Sequence, residues 1–274
     1  CRTPDCLVPI RRSSRTPWYV YNYDVLSKKS LGDTIVFDNQ YFPDTCESRY
    51  PVPVGVTADS TLKRAAPQWS CMDVHNVTAE AETFTCNAYL ATGEQTALVD
   101  AGAMRGVVDV IREHADALDA VVLTHQHGDH VQQLDAVLDA FDAPLYAYGA
   151  HPRRDHALDD GDTLTVGDEE CEVVYTPGHA DDHVSLVSET TLFSGDVVVH
   201  DDGAFDDGSF GRTDRPGQSR ERLIESIEDI LDRMPAGVEH MYSGHGGVFH
   251  GDVREVVVRA LERAERREPK YPDE

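Results

Sequence analysis

From Thr83 onward the chain alternates short apolar blocks with Gly-, Asp- and Pro-rich breaks. TFTCNAYLA and TALVDAG read as two strands of a hairpin joined at Gly93-Glu94. Val107, Val108 and Ile111 recur at helical spacing and predict a helix over 104–115. DAVVLT reads as a short buried strand, and Val131, Leu134, Leu138 and Phe141 give the next helix one apolar face. APLYAY is a further strand. DTLTVGDEECEVVYTPGH predicts two strands about Gly167, and HVSLVSETTLFSGDVVV a second hairpin turning at Ser188-Glu189. A helix over 218–234 buries Leu223, Ile227, Ile230 and Leu231; GVEHMYSGHG is a strand that runs into a loop. The last helix, over 252–267, turns Val253, Val256, Val257, Ala260, Leu261 and Ala264 inward. Hairpins first, then strands alternating with helices, predict an α/β (α+β) fold whose sheets carry helices on their outer faces.

Before Met72 the pattern is poorer, with Pro, Ser, Tyr and basic residues mixed and one strand-like run over 34–37. The expected organisation is therefore an irregular segment over 1–71, non-native or disordered, a functional domain over 72–267, and a disordered tail over 268–274.

Charge supports that boundary. Of 274 residues, 24 are Lys or Arg and 50 are Asp or Glu, a net charge of −26. Residues 1–71 hold nine cations and seven anions, whereas residues 72–274 hold fifteen and forty-three. Lys270 is the one Lys among those fifteen. An acidic, lysine-poor surface stays hydrated at high salt, which points to a halophilic cytoplasm. It also argues against nucleic acid or an anionic membrane as partner. With no apolar run of membrane-spanning length and no signal-like start, the expectation is a cytoplasmic monomer or homodimer acting on a small molecule. The six cysteines form no CxxC pair, so neither a disulfide framework nor a cysteine metal cluster is expected. Cys86 and Cys171 read as buried thiols.

The candidate chemistry lies in His125-Gln126-His127-Gly128-Asp129-His130, directly after an apolar strand. Side chains two apart at a strand end point the same way, so His125 and His127 can reach one cation together. Gly128 lets the chain turn, and Asp129 and His130 then face back. Imidazole and carboxylate suit zinc, iron or manganese. Later loops offer His179, Asp196 and His245, each after a strand and beside glycine.

This set, with LVDAG at 98–102, resembles the metallo-β-lactamase superfamily over about residues 72–267. The resemblance implies an αββα sandwich of two mixed β-sheets flanked by helices, with metals at one edge. It implies two divalent ions, zinc first and iron or manganese as alternatives. His125, His127 and His179 would hold one; Asp129, His130 and His245 the other; Asp196 would bridge them. A metal-bridging hydroxide would be the nucleophile, with Asp129 also assigned a catalytic role. Asp100 is expected to accept a hydrogen bond behind the metal loop, and His183 to be structural.

GSFGRTDRPGQSRERLIESI is similar to the short glyoxalase II-like proteins and to the persulfide dioxygenases, which carry Gly-Arg-Thr-Asp after the bridging Asp. Arg212 and Asp214 are expected to pair and tie that loop. Gly128 stands where flavodiiron enzymes carry an acidic residue. The implied function is a metal-dependent hydrolase of haloarchaeal type acting on a thioester, as hydroxyacylglutathione hydrolases do. Alternatives are a persulfide dioxygenase with one iron on His125, His179 and Asp196, a lactonase or other ester hydrolase, and, ranked last, a non-catalytic metal-binding protein. Full-length glyoxalase II enzymes add a C-terminal helical domain for glutathione; one helix follows His245 here, which leaves the thiol carrier open. His75, His114, His151, His156, His240 and His250 are read as packing or surface residues. His200 and Tyr242 are left between site and packing roles. A chain beginning at Met72 is expected to fold and bind metal; loss of either, read by circular dichroism and metal analysis, would move the domain boundary.

Overall fold

The computed structural model describes residues 72–270; the segment 1–71 and residues 271–274 lie outside the described residues. The strands are β1 (Asp73–Asn76), β2 (Tyr89–Thr92), β3 (Ala97–Val99), β4 (Ala120–Val122), β5 (Leu145–Ala147), β6 (His156–Ala157) and β7 (Thr163–Val166). They continue as β8 (Glu169–Tyr175), β9 (Val184–Val187), β10 (Thr191–Gly195), β11 (Val198–Val199), β12 (Ser209–Phe210), β13 (His240–Ser243) and β14 (Phe249–His250). The helices are α1 (Val107–His114), α2 (Gly128–Val131), α3 (Leu134–Phe141), α4 (Arg220–Arg233) and α5 (Val253–Glu265).

One six-stranded sheet runs β1-β2-β3-β4-β5-β6 and the other β14-β13-β10-β9-β8-β7, while β11 and β12 form a separate two-stranded antiparallel pair. Both six-stranded sheets are mixed. In the first, β2–β3 is antiparallel and β3–β4 parallel; in the second, β10–β13 is parallel and β9–β10 antiparallel. Alternation along each strand divides the apolar residues between layers. Leu98 and Val121 join Val107, Ile111, Leu134 and Leu138 beneath α1 and α3. Ala97, Val99, Ala120 and Val122 turn the other way, onto Val173, Leu186, Phe193 and Tyr242 of the second sheet. Leu192 and Met241 meet Leu223, Ile227, Val253 and Val257 of α4 and α5. The result is the expected αββα sandwich. No helix among the described residues is long and apolar enough to cross a membrane.

The helix starts follow local chemistry. Ser219 and Asp252 cap α4 and α5 by accepting from the amides of Arg222 and Glu255. The helix expected from Val131 is broken into α2 and α3, because the Gln133 amide turns aside to donate to the Gly102 carbonyl. The first hairpin also differs from its sequence reading. Its first strand, β2, begins at Tyr89 and not at Thr83, because the Cys86 and Asn87 amides donate to Asp129 and Gly244 carbonyls instead of to a neighbouring strand. Strand β1 instead pairs with β2 across a loop. Of the expected tail, residues 268–270 are described, and the Lys270 ammonium is buried in an ion pair with Asp202.

Phe193 is fully enclosed between Tyr89 and Tyr242, with ring centroids 6.1 and 5.1 Å away. Phe193→Ala is expected to cost roughly 3–5 kcal/mol in urea unfolding. Val258→Ala on the exposed side of α5 should stay within about 0.5 kcal/mol and controls for nonspecific effects.

Candidate metal centre

The expected ligands lie in the segments that follow the C-terminal ends of strands, with Asp129 and His130 in the short helix α2 that continues the His125 loop. Leu123 and Thr124 carry the chain from β4 to His125; Asp196 follows Gly195 at the end of β10; His245 follows β13; His179 follows β8. In the first sheet, parallel pairing of β3 with β4 puts Asp100 beside the His125 loop. In the second, parallel β10 and β13 put Asp196 beside His245, and two antiparallel steps give β8 the same direction as β10. All these loops therefore share one edge of the sandwich. A register irregularity between Phe193 and Gly195 bends β10 before Asp196.

The side chains converge as two sets. His127 Nδ1 is 3.0 Å from His125 Nε2 and 2.9 Å from His179 Nε2. His245 Nε2 lies 3.1 Å from Asp129 Oδ2, and Asp129, His130 and His245 form a second group of potential ligands. Asp196 stands between them: Oδ2 is 3.3 Å from His179 Nε2 and 3.4 Å from His245 Nε2, and Oδ1 is 3.5 Å from His130 Nε2. All seven expected ligands are thus brought together.

Outer partners fix which nitrogens face inward. The Thr124 hydroxyl donates to Asp100 Oδ2 at 2.7 Å, so it can accept from His125 Nδ1 at 3.1 Å. Asp100 Oδ2 also accepts from His130 Nδ1 at 2.9 Å, and the Arg212 carbonyl accepts from His179 Nδ1 at 3.1 Å. In His125 and His179 the proton sits on Nδ1 and the Nε2 lone pair points at the centre, and His130 keeps its Nδ1 proton on Asp100 so that Nε2 faces the centre. Asp100 is buried with a left-handed backbone, φ 61°, so its carboxylate reaches the Thr124 amide and hydroxyl as well as His130. His183, also buried, donates from Nδ1 to the Thr176 hydroxyl and accepts the Asp196 amide on Nε2 at 3.0 Å. Gly195 takes φ 52°, and a Cβ there would strike that ring.

Burial above all holds His125 and His183 well below the usual imidazole value and lowers His127 and His179, so these rings are neutral. Burial opposes charge on His245 too, but its hydrogen bonds to the Asp129 and Asp196 carboxylates outweigh it and push its pKa up to about 9. Burial likewise opposes the Asp196 carboxylate, and the His130 and His245 charges overcome it, holding Asp196 well below the carboxylate range.

The residues fit divalent cations. His130 Nε2 and Asp196 Oδ1 are buried without any hydrogen-bond partner. Orphaned buried polar atoms of this kind carry a penalty that coordination removes. Three imidazole nitrogens within 3.0 Å of their neighbours likewise cannot all be satisfied by shared protons. The donor set, five imidazoles and two carboxylates, is that of borderline transition metals.

Other expectations resolve clearly. Arg212 and Asp214 form a two-point pair at 2.8 and 2.6 Å, as expected. Cys86 and Cys171 are buried thiols, raised by burial to about 11 and about 12. Tyr242 packs between the sheets, and His200 stacks on Phe249. His75 stacks on His114 and His156 on Tyr146, while His240 meets His250 across β13–β14. Of these residues only Cys86 joins a group of potential ligands among the described residues, with Asp100 and His130 behind the centre. Two residues at the site had no motif to mark them. Phe84, 77% exposed, stacks on His245 at 5.2 Å, and Asn87 hydrogen-bonds the backbone around His245.

A family model described as the metallo-β-lactamase superfamily matches residues 81–270. A hydroxyacylglutathione hydrolase of Francisella philomiragia is 35% identical over 118 residues, covering 41% of this chain and 47% of that protein. An atrochrysone carboxyl ACP thioesterase of Aspergillus fumigatus is 29% identical over 195 residues, covering 66% of this chain and 57% of that protein. The chain thus spans about half the length of these curated relatives. The crystal structure of an archaeal metallo-β-lactamase superfamily protein from Sulfolobus tokodaii superposes with TM-score 0.54 at 20% identity, over 71% of this chain and 86% of that one. That likeness concerns the fold alone.

Asp100→Asn removes the carboxylate that serves both His130 and Thr124. Metal affinity, measured by competition with a chromophoric chelator, is expected to fall about ten- to hundredfold. An unchanged affinity would show that the Asp100 network does not orient the ligands.

Proposed function

The chain belongs to the metallo-β-lactamase superfamily, and we propose that it is a metal-dependent hydrolase of the glyoxalase II-like kind, acting on a thioester. The observation that carries this reading is the presence of two full ligand sets around one shared carboxylate, Asp196. His125, His127 and His179 would hold one ion and Asp129, His130 and His245 the other, with zinc first and iron or manganese accepted by the same donors. Two bound cations supply Lewis-acid polarisation of a carbonyl and activation of water.

The chain's own residues define how a substrate would meet this centre. His125, His130 and Asp196 are buried, whereas His127, Asp129 and His245 are partly exposed. Approach is therefore from the His127–Asp129–His245 side. On that side Phe84 stacks on His245, and the exposed Val248 follows three residues later, so an apolar acyl group has a surface to lie against. Asp129 Oδ2 stands on the same open side and would take a proton from the attacking water and pass it to solvent. A thiol, with pKa near 8.5, departs as thiolate without a strong acid. That suits a site whose proton carriers are carboxylate and imidazole. The Gly211–Asp214 stretch and the names of the two relatives above support the same substrate class.

A single-iron dioxygenase would use His125, His179 and Asp196, and would leave the Asp129, His130 and His245 set without a task. The acidic, lysine-poor surface supports a halophilic setting, in which activity persists at molar salt.

Metal analysis by mass spectrometry, alongside a panel of thioesters, lactones and esters at low and high salt, tests the reading. About two metals per chain with thioester turnover is expected. His125→Ala and Asp196→Ala should each lower kcat/KM by about a thousandfold or more. Oxygen uptake with a persulfide on a one-iron protein would overturn it.

A further inference from the structure

The loop of residues 77–88, between β1 and β2, supplies no expected metal ligand, yet it touches two of the three loops and turns that build the second ligand set. The Cys86 amide donates to the Asp129 carbonyl at 3.3 Å, and the Asn87 amide donates to the Gly244 carbonyl at 2.7 Å. Asn87 Nδ2 then uses both of its hydrogens, donating at 2.9 Å to the Ser243 carbonyl and at 2.9 Å to the Gly246 carbonyl. Its Oδ1 accepts from Asn76 Nδ2 at 2.8 Å, so the carboxamide cannot flip without breaking all three bonds.

What this carboxamide grips is the backbone on both sides of His245. That segment reads Ser-Gly-His-Gly-Gly, which has little stiffness of its own. Gly244 has no alternative, since a Cβ there would strike Asp196 Oδ1 and crowd His130. Inside the segment the Ser243 hydroxyl donates to the His245 carbonyl at 2.8 Å, and the remaining order comes from outside. The Gly244 amide donates to the Gly195 carbonyl at 2.8 Å and the Tyr89 hydroxyl to the Ser243 carbonyl at 2.8 Å, while Asn87 contributes three bonds, more than any other residue. His125, His127 and His179 are held instead by Thr124, by one another and by the Arg212 carbonyl.

We propose that Asn87, with the Cys86 amide beside it, is the positioning residue for the Asp129–His130–His245 half of the centre, and that the other half is independent of it. The proposal rests on the two-metal reading above. Asn87 sets the distance from His245 to Asp129 and Asp196, and so decides whether the second cation is held.

The test uses the full chain with Asn87→Ala and Asn87→Asp. The aspartate is nearly isosteric but replaces both N–H donors with an acceptor facing two carbonyl oxygens, so it separates hydrogen bonding from packing. After zinc loading and dialysis into zinc-buffered solution, metal per chain is counted by mass spectrometry. Wild type should hold about two ions. Both variants should retain about one, with affinity for the second lowered about ten- to hundredfold. In the metal-free proteins, amide exchange over 243–248 should rise about tenfold, while β9, β10 and residues 123–127 keep wild-type protection, which also confirms folding. Two ions held with wild-type affinity in both variants, joint loss of both ions, or unchanged exchange over 243–248 would each overturn the proposal. A wild type that binds one ion at saturating zinc overturns this proposal and the two-metal reading together. Wild-type thioester turnover with two ions, unaltered in the variants, overturns this proposal alone.

Discussion

Five imidazoles and two carboxylates packed at one edge of a β-sandwich are an electrostatic problem that the rest of the domain is arranged around. Taking them out of water carries a desolvation penalty, and mutual hydrogen bonds leave His130 Nε2 and Asp196 Oδ1 unserved. The charged His245, raised to about 9 by Asp129 and Asp196, shows the sign of what the cluster demands: positive charge at its centre. Asp100, Thr124 and the Arg212 carbonyl answer the complementary need, since each takes an Nδ1 proton and turns Nε2 to the centre. The same atoms would be useless as ligands with the opposite tautomers.

Such convergence needs several chain segments to end at one place, and the sheet topology provides it. Each sheet contains a parallel pair, β3 with β4 and β10 with β13, and parallel neighbours end on the same side. Stacking the sheets through Ala97, Val99, Phe193 and Tyr242 then brings the two sets of ends face to face. A direct bond across the gap, from the Val184 amide to the Thr124 carbonyl at 2.8 Å, joins the sheets beside the histidines. Ligand placement is thus a consequence of register and packing far from the site, where small apolar residues let the layers approach.

Much of this was legible in the chain. The His125–His130 run, and His179, Asp196 and His245 after later strands, were readable because strand ends leave a period-2 apolar block followed by glycine and polar residues. The Arg212–Asp214 pair was readable because two residues of spacing suffices to make it. The two-residue strands β6, β11, β12 and β14 were not, since so short a run has no periodicity to detect. The start of β2 was misread for a different reason. TFTCNAYLA has the composition of a strand, but whether the Cys86 and Asn87 amides join a ladder depends on carbonyls more than forty and more than one hundred and fifty residues away. Phe84 and Asn87 escaped for the same cause: their roles come from His245, which is distant in sequence and adjacent in space.

That misread segment explains how a glycine-rich ligand loop can be rigid enough to hold a cation. The close approach of Asp196 and His130 forbids a side chain at position 244, and the absent side chain removes local restraint. A carboxamide from the opposite sheet avoids the conflict, because Asn87 can fix carbonyls on both sides of His245 without adding bulk near the ion. The loop that delivers Asn87 also carries Phe84 to the open face of His245. Orientation of the second ligand set and the apolar surface offered to substrate therefore come from one loop, so a change in its length or path would alter metal retention and substrate fit together.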